Sequence, residues 1–195
     1  MNTRTATVER STAETTIACT VNLDGTGTAE VSTGIGFLDH MLTALARHSR
    51  IDIALRCTGD LEVDDHHTAE DCALALGSAI DNALADRRGI VRFGSAYAPL
   101  DEALARVVID LSGRPCPVID LGLRREMIGG IATENITHFF VSLATTLRAA
   151  LHADVLRGEN DHHRAEAAFK ALALALRVAV ARTGDNRVPS TKEVL

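Results

Sequence analysis

A six-residue motif occurs twice in this chain. Asp65-His66-His67-Thr68-Ala69-Glu70 returns as Asp161-His162-His163-Arg164-Ala165-Glu166, 96 positions later (161 minus 65). Over Asp65–Leu76 and Asp161–Leu172, seven of twelve positions are identical. An internal repeat of this kind constrains the fold more than any single segment, because the same unit must form twice and bury its apolar side twice. What is repeated here is also chemistry: two histidines and a glutamate per copy.

Each copy reads as the start of a helix, with Asp65 or Asp161 as the N-cap and helix formers after it. His66 and Glu70, four apart, share a helix face. His67 lies about 100° around the helix from His66, since a turn takes roughly 3.6 residues. Neighbouring histidines on a helix therefore splay; they reach two different ions more readily than one. His162, Glu166 and His163 repeat the arrangement. The chain has eight histidines, and six of them, His40, His66, His67, His138, His162 and His163, belong to the duplicated set. With Glu70 and Glu166 they divide into two equal sets of three nitrogens and one carboxylate. Such a set suits a borderline divalent ion, manganese, zinc or iron, and an octahedral ion would keep two positions open for chemistry. His48 and His152 stand outside the set and read by themselves as ordinary surface or core residues.

The order of elements repeats as well. Ile17, Cys19, Val21 and Leu23 alternate with polar residues, as do Ile51–Cys57, Ala105–Leu111 and Leu151–Val155, which is the pattern of strands with one buried face. Thr28–Ser32 and Ile119–Leu123 supply further strands. Helices are expected over 37–48, from the first repeat to about Arg87, over 133–149, and from the second repeat to about Arg182. The chain is thus α+β, one domain over 1–195, with halves of about 1–92 and 93–184 that each read β-β-α-β-α. The apolar faces of two half-sheets would cover their helices and press them together.

Composition narrows the function. Apolar residues make up 46% and aromatics only 3%, so the core is aliphatic. The net charge of −6 argues against a nucleic-acid partner, and no apolar run reaches membrane-spanning length. No secretory leader pattern opens the chain. Cys19, Cys57, Cys72 and Cys116 lack paired spacing and read as reduced thiols of a cytoplasmic protein.

Four stretches resemble one family: Gly34-Ile35-Gly36-Phe37-Leu38-Asp39-His40-Met41-Leu42, Asp64–Asp71, Asp110-Leu111-Ser112-Gly113-Arg114-Pro115 and Asn160–Lys170. All four, in this order, are similar to imidazoleglycerol-phosphate dehydratase, and the likeness covers about residues 5–192. The resemblance implies a four-helix layer between two four-stranded sheets, of the ribosomal protein S5 domain 2-like kind. It implies a 24-mer built from trimers, with two Mn(II) ions per subunit lying between neighbours (zinc or iron being possible in place of manganese). One ion would be held by His40, His67, His162 and Glu166, the other by His66, Glu70, His138 and His163.

The activity so implied is loss of water from D-erythro-imidazole glycerol phosphate, through a metal-bound imidazolate and a diazafulvene-like intermediate, to imidazole acetol phosphate in histidine biosynthesis. Glu14 matches the family's acid/base. Arg92, Arg114, Ser190 and Lys192 match its phosphate-binding positions, and guanidinium forks suit a phosphate dianion. His48 matches a substrate-contact position, and His40, His66 and His162 would face substrate as well as metal. Residues 185–195 form a polar tail expected to be mobile alone and to cover bound substrate. The tail departs from the family at Glu193, where glycine often stands. The chain is too short for the fused phosphatase domain of some members, so a monofunctional form is expected. Two other readings compete. A ferritin-like di-metal enzyme would carry the reverse Glu-x-x-His order on long helices; a non-catalytic, metal-pinned oligomer would leave Arg92, Arg114 and Lys192 without a task.

Overall fold

In the computed structural model, which describes residues 4–192, alternation becomes strand in both halves. The first half runs β1 (Thr5–Ser11), β2 (Thr15–Asn22), β3 (Ala29–Ser32), α1 (Gly36–Ser49), β4 (Asp52–Gly59) and α2 (His66–Leu84). The second runs β5 (Phe93–Leu100), β6 (Ala103–Asp110), β7 (Cys116–Asp120), a short hairpin β8 (Met127–Ile128) and β9 (Ile131–Ala132), α3 (Thr133–Thr146), β10 (Ala150–Arg157) and α4 (Asp161–Ala179). The sheets have matching strand orders, β1-β2-β4-β3 and β5-β6-β10-β7. In each, the last-named strand runs parallel to its neighbour and the other pairs are antiparallel.

The inner faces are the alternating residues. Ile17, Cys19, Val21, Ile53 and Leu55 on one sheet, and Ala105, Val107, Ile109, Leu151 and Ala153 on the other, are all buried. The four helices fill the space between. α2 rests on β1 and β2, and α4 on β5 and β6, but the close helix pairs are α1 with α4 and α2 with α3. Helices therefore pair across the halves, which is what later assembles the site. Small residues permit the close packing: a Cβ at Gly77 of α2 would stand 2.7 Å from the Leu143 carbonyl of α3, and one at Gly94 of β5 would run into the Ala175 carbonyl of α4. Phe139, Phe140 and Phe169 interlock between α3 and α4, with centroids 4.8 to 6.4 Å apart.

Several boundaries differ from those the pattern suggests, for local reasons. α2 stops at Leu84 because Ala85 and Arg87 take positive φ (51° and 58°), and the Arg87 guanidinium turns to donate to the Leu147 and Arg148 carbonyls at the end of α3. β7 ends at Asp120, since the Leu121 carbonyl accepts from Arg164 at 2.9 Å instead of continuing the sheet. The repeated aspartates are also not the capping side chains. Asp64 and Asn160, one position earlier in each copy, accept from the His66 and His162 backbone N–H at 2.8 and 2.9 Å. Asp65 and Asp161 reach away: Asp65 Oδ2 accepts from Ala132 N and Asn135 Nδ2, and Asp161 Oδ2 from Arg124 N and Arg125 N. They fasten the helix starts to the segment around β8 and β9, so their conservation between the copies reflects positioning of the histidines. Among the described residues, no helix is long and apolar enough to cross a membrane.

Candidate metal centres and an anion cavity

Pairing across the halves brings the six inward ligands into two clusters. On α1 and α4, His40 Nε2 and His162 Nε2 lie 3.3 and 3.2 Å from the same oxygen of Glu166. On α3 and α2, His138 Nε2 lies 3.0 Å from Glu70 Oε1, and His66 Nε2 lies 3.9 Å from Glu70 Oε2. Within each cluster the ligand atoms fall within 4.8 Å of one another. Donors about 2.1 Å from a shared ion would be roughly 3 Å apart when adjacent and about 4.2 Å when opposite, so the spacing fits a divalent ion at either cluster. Tautomer control fits too. Asn135 donates to Asp65 and so turns its Oδ1 to the Nδ1–H of His66, 2.8 Å away; the Nε2 lone pair is left for an ion.

His67 and His163 are not in these clusters. Both project from the other side of their helices, as the splay demands, and each is held by a carboxylate. His67 Nδ1–H donates to Asp60 at 3.0 Å, and His163 Nδ1–H donates to Glu102 at 2.8 Å. These bonds to Asp60 and Glu102 raise the pKa of each imidazole. Glu102 is held down to about 2 by the Asn160 N–H, His163 and the Glu159 N–H. Beyond each outward Nε2 stands another acid: Glu14 Oε1 at 3.6 Å from His67, and Asp101 Oδ2 at 3.9 Å from His163. Glu14 closes the β1–β2 hairpin and Asp101 the β5–β6 hairpin, so the two halves build this feature in the same place.

The inner cluster around Glu166 has an extra member that the repeat does not flag. Lys170 Nζ lies 2.7 Å from Glu166 Oε1. Burial works to raise the Glu166 pKa, but the Lys170 bond and charge, with His40, outweigh it and lower it. His48, further along α1, is pushed down by burial and by the Lys170 charge, so it lies within electrostatic reach of this cluster. His152 sits on the exposed face of β10, opposite Val108 and Val118, away from both clusters.

Arg92, Arg114, Ser190 and Lys192 come together with Phe93, Pro189 and Thr191 around a cavity of about 560 Å³. Arg92 is already committed on one side: Nε and Nη2 donate to Asp110 at 2.6 and 3.0 Å, and Nη1 to the Pro189 carbonyl at 2.8 Å. The last of these ties the tail to the cavity wall, and Gly89 N donating to the Arg187 carbonyl at 2.9 Å ties it again. Glu193, the departure noted in the tail, lies outside the described residues.

The family model for imidazoleglycerol-phosphate dehydratase matches residues 33–176. The chain belongs to the imidazoleglycerol-phosphate dehydratase family. The family name describes a hydro-lyase. The chain is similar to the imidazoleglycerol-phosphate dehydratase of Chlorobaculum parvum, 56% identical over 195 residues and the full length of both. It is 60% identical over 192 residues to that of Phytophthora nicotianae, covering 98% of this chain but only 42% of the longer relative. Among solved structures, the Staphylococcus aureus imidazoleglycerol-phosphate dehydratase superimposes with a TM-score of 0.83 at 35% identity, over 92% of this chain and 99% of that one. The sheet order, helix layer and duplicated halves found here are thus those of the imidazoleglycerol-phosphate dehydratase family.

Proposed function

We propose that this chain dehydrates D-erythro-imidazole glycerol phosphate to imidazole acetol phosphate, a step of histidine biosynthesis in the cytoplasm, with divalent metal at the two clusters. The observation that carries the metal part is a pair of deficits and a pair of surpluses. Each inner cluster holds three ligands, and each half also presents one histidine outward on a carboxylate support. Supplying the missing ligand from a neighbouring subunit solves both. His67 of one subunit would complete His40, His162 and Glu166 of another; His163 would complete His66, Glu70 and His138. On this reading a 24-mer of trimers and its catalytic sites form together.

Bound there, two Mn(II) ions per subunit, or zinc or iron in their place, would supply Lewis acidity toward a nitrogen of the substrate ring. The rest falls to the chain's own residues. Arg92, Arg114, Ser190 and Lys192 would hold the phosphate; Asp110 and the Pro189 carbonyl fix the Arg92 guanidinium at the cavity wall and leave one N–H each on Nη1 and Nη2 for the ligand. His40, His66, His162 and His48 border the ring and the hydroxyl-bearing carbons. Glu14, beside Nε2 of His67, moves the proton. Water is made from the hydroxyl next to the ring and the ring N–H proton, leaving a diazafulvene. Glu14 then takes the C–H proton from the adjacent carbon and returns it to the ring nitrogen, which gives the enol and, on tautomerisation, the ketone. The tail carrying Ser190 and Lys192 closes over the phosphate and keeps bulk water from the reactive intermediate.

The test is an assay of ketone formation with metal-free protein, with and without added manganese. Turnover that appears only with manganese supports the proposal. Full turnover in protein shown to hold no metal, or none in the metal-loaded protein, contradicts it.

A further inference from the structure

The repeat is broken at one position that touches a cluster. Four residues after Glu166 stands Lys170, 2.7 Å from its Oε1; four residues after Glu70 stands Leu74. Among the described residues Glu70 meets only His66 and His138. One carboxylate therefore serves its histidines alone, while the other already serves an ammonium. Lys170 and Glu166 are four apart on α4, so the ammonium stays a close neighbour of the carboxylate even in other rotamers, and its own side chain is only 21% exposed. Water does not screen it well: the Glu166 side chain is 13% exposed against 35% for Glu70.

A divalent ion at the Glu166 cluster would share its carboxylate with a cation and be repelled by it; an ion at the Glu70 cluster would not. The acids behind the outward histidines do not restore the balance. Asp60 and Glu14 stand by His67, and Glu102 and Asp101 by His163, two carboxylates in each case. Lys170 is the charge without a counterpart.

We infer that Lys170 makes the two metal sites of this chain unequal, so that the His66–Glu70–His138 site fills first and the His40–His162–Glu166 site fills second and exchanges more readily. The inference rests on the metal reading above. A single uncompensated charge at this range, partly screened, corresponds to about a tenfold or larger difference in affinity. The consequence is that, when free manganese is limiting, the His40–His162–Glu166 site empties before the other.

The experiment is a manganese titration of the metal-free full chain by calorimetry, with bound manganese counted by plasma mass spectrometry. Two classes of site are expected, one ion per subunit in each. His138→Ala should remove the tighter class and His40→Ala the weaker. Lys170→Met should bring the classes together to within about threefold, and Lys170→Arg, which keeps the charge, should hold them apart. Leu74→Lys, at a half-buried position outside the core cluster, should weaken the tighter class by a similar factor. Equal affinities in the unmodified chain, or an unchanged gap in Lys170→Met with both ions still bound, overturns the inference and leaves the metal reading standing. A folded protein that binds no manganese overturns both.

Discussion

At the tip of the first hairpin Glu14 stands 3.6 Å from Nε2 of His67; at the tip of the corresponding hairpin in the second half Asp101 stands 3.9 Å from Nε2 of His163. The geometry is nearly the same, but the supports differ. In the second half the hairpin itself also supplies the carboxylate that orients the histidine, Glu102, and two backbone N–H groups pin it in place. In the first half that task falls to Asp60, at the end of β4 and outside the hairpin. The outer sheet faces diverge further: Thr16, Thr20, Glu30 and Arg56 on one, Phe93, Tyr97, Val108 and Val118 on the other. Duplication has kept the clusters' own histidines and glutamates and the apolar inner faces, and has let their surroundings specialise.

The largest effect that would break this comparison separates the two hairpin acids. Glu14→Gln is expected to lower kcat by about 10²–10⁴-fold, the usual worth of an acid/base group, with metal content and assembly unchanged. Asp101→Asn should keep kcat within a few-fold. Equal losses in steady-state assays would mean the halves share the proton transfer.

Next comes the cation set of the 560 Å³ cavity, Arg92, Arg114 and Lys192. A charge-assisted phosphate bond contributes ~1–3 kcal/mol, so Lys192→Ala should cost roughly ten- to a hundredfold in kcat/KM while leaving bound metal intact. Removal of residues 186–195 should cost at least as much; a truncated enzyme with full kcat/KM would show that the tail takes no part.

The smallest effect concerns the other end of the first sheet, where Asp24 is gripped by Arg4 and Arg182. Their bonds, Arg4 first, hold its carboxyl well below the usual carboxylate range. A depressed pKa gives stability that is present above the unfolded value of about 4 and is lost as pH falls below it. Asp24 is 34% exposed, so after screening Asp24→Asn should cost only ~1 kcal/mol at neutral pH. Denaturant melts of variant and parent should converge in acid; a gap that persists there would assign the loss to packing.

Much of this was legible in the residues. The repeated HHxxE gave the splay, and with it the separation of inward from outward histidines. The edge strands β1 and β5 were not legible from alternation. Thr5–Ser11 turns only Ala6 and Val8, half-buried, towards the core, and Phe93–Leu100 carries a glycine and a proline, which weaken a strand signal although an edge strand tolerates proline. The capping role of Asp64 and Asn160 was hidden by the better-looking aspartates beside them, whose carboxylates are used at a distance. The matching hairpin acids have unrelated local sequences, so only the paired sheets reveal them. Lys170 lay within a recognised motif, four residues after Glu166 and so on its helix face; what stayed hidden is that α1 brings His40 to the same carboxylate.

The central claim is that each metal site is completed by a neighbouring subunit, and subunit mixing tests it directly. His40→Ala and His67→Ala proteins should each be nearly inactive alone. Dissociated by chelation, mixed in equal amounts and reassembled with manganese, they should recover about a quarter of the parental activity, the fraction of shared sites that random assortment leaves intact in a symmetric oligomer. Activity no higher than that of either variant alone, in particles shown to contain both, would contradict the account.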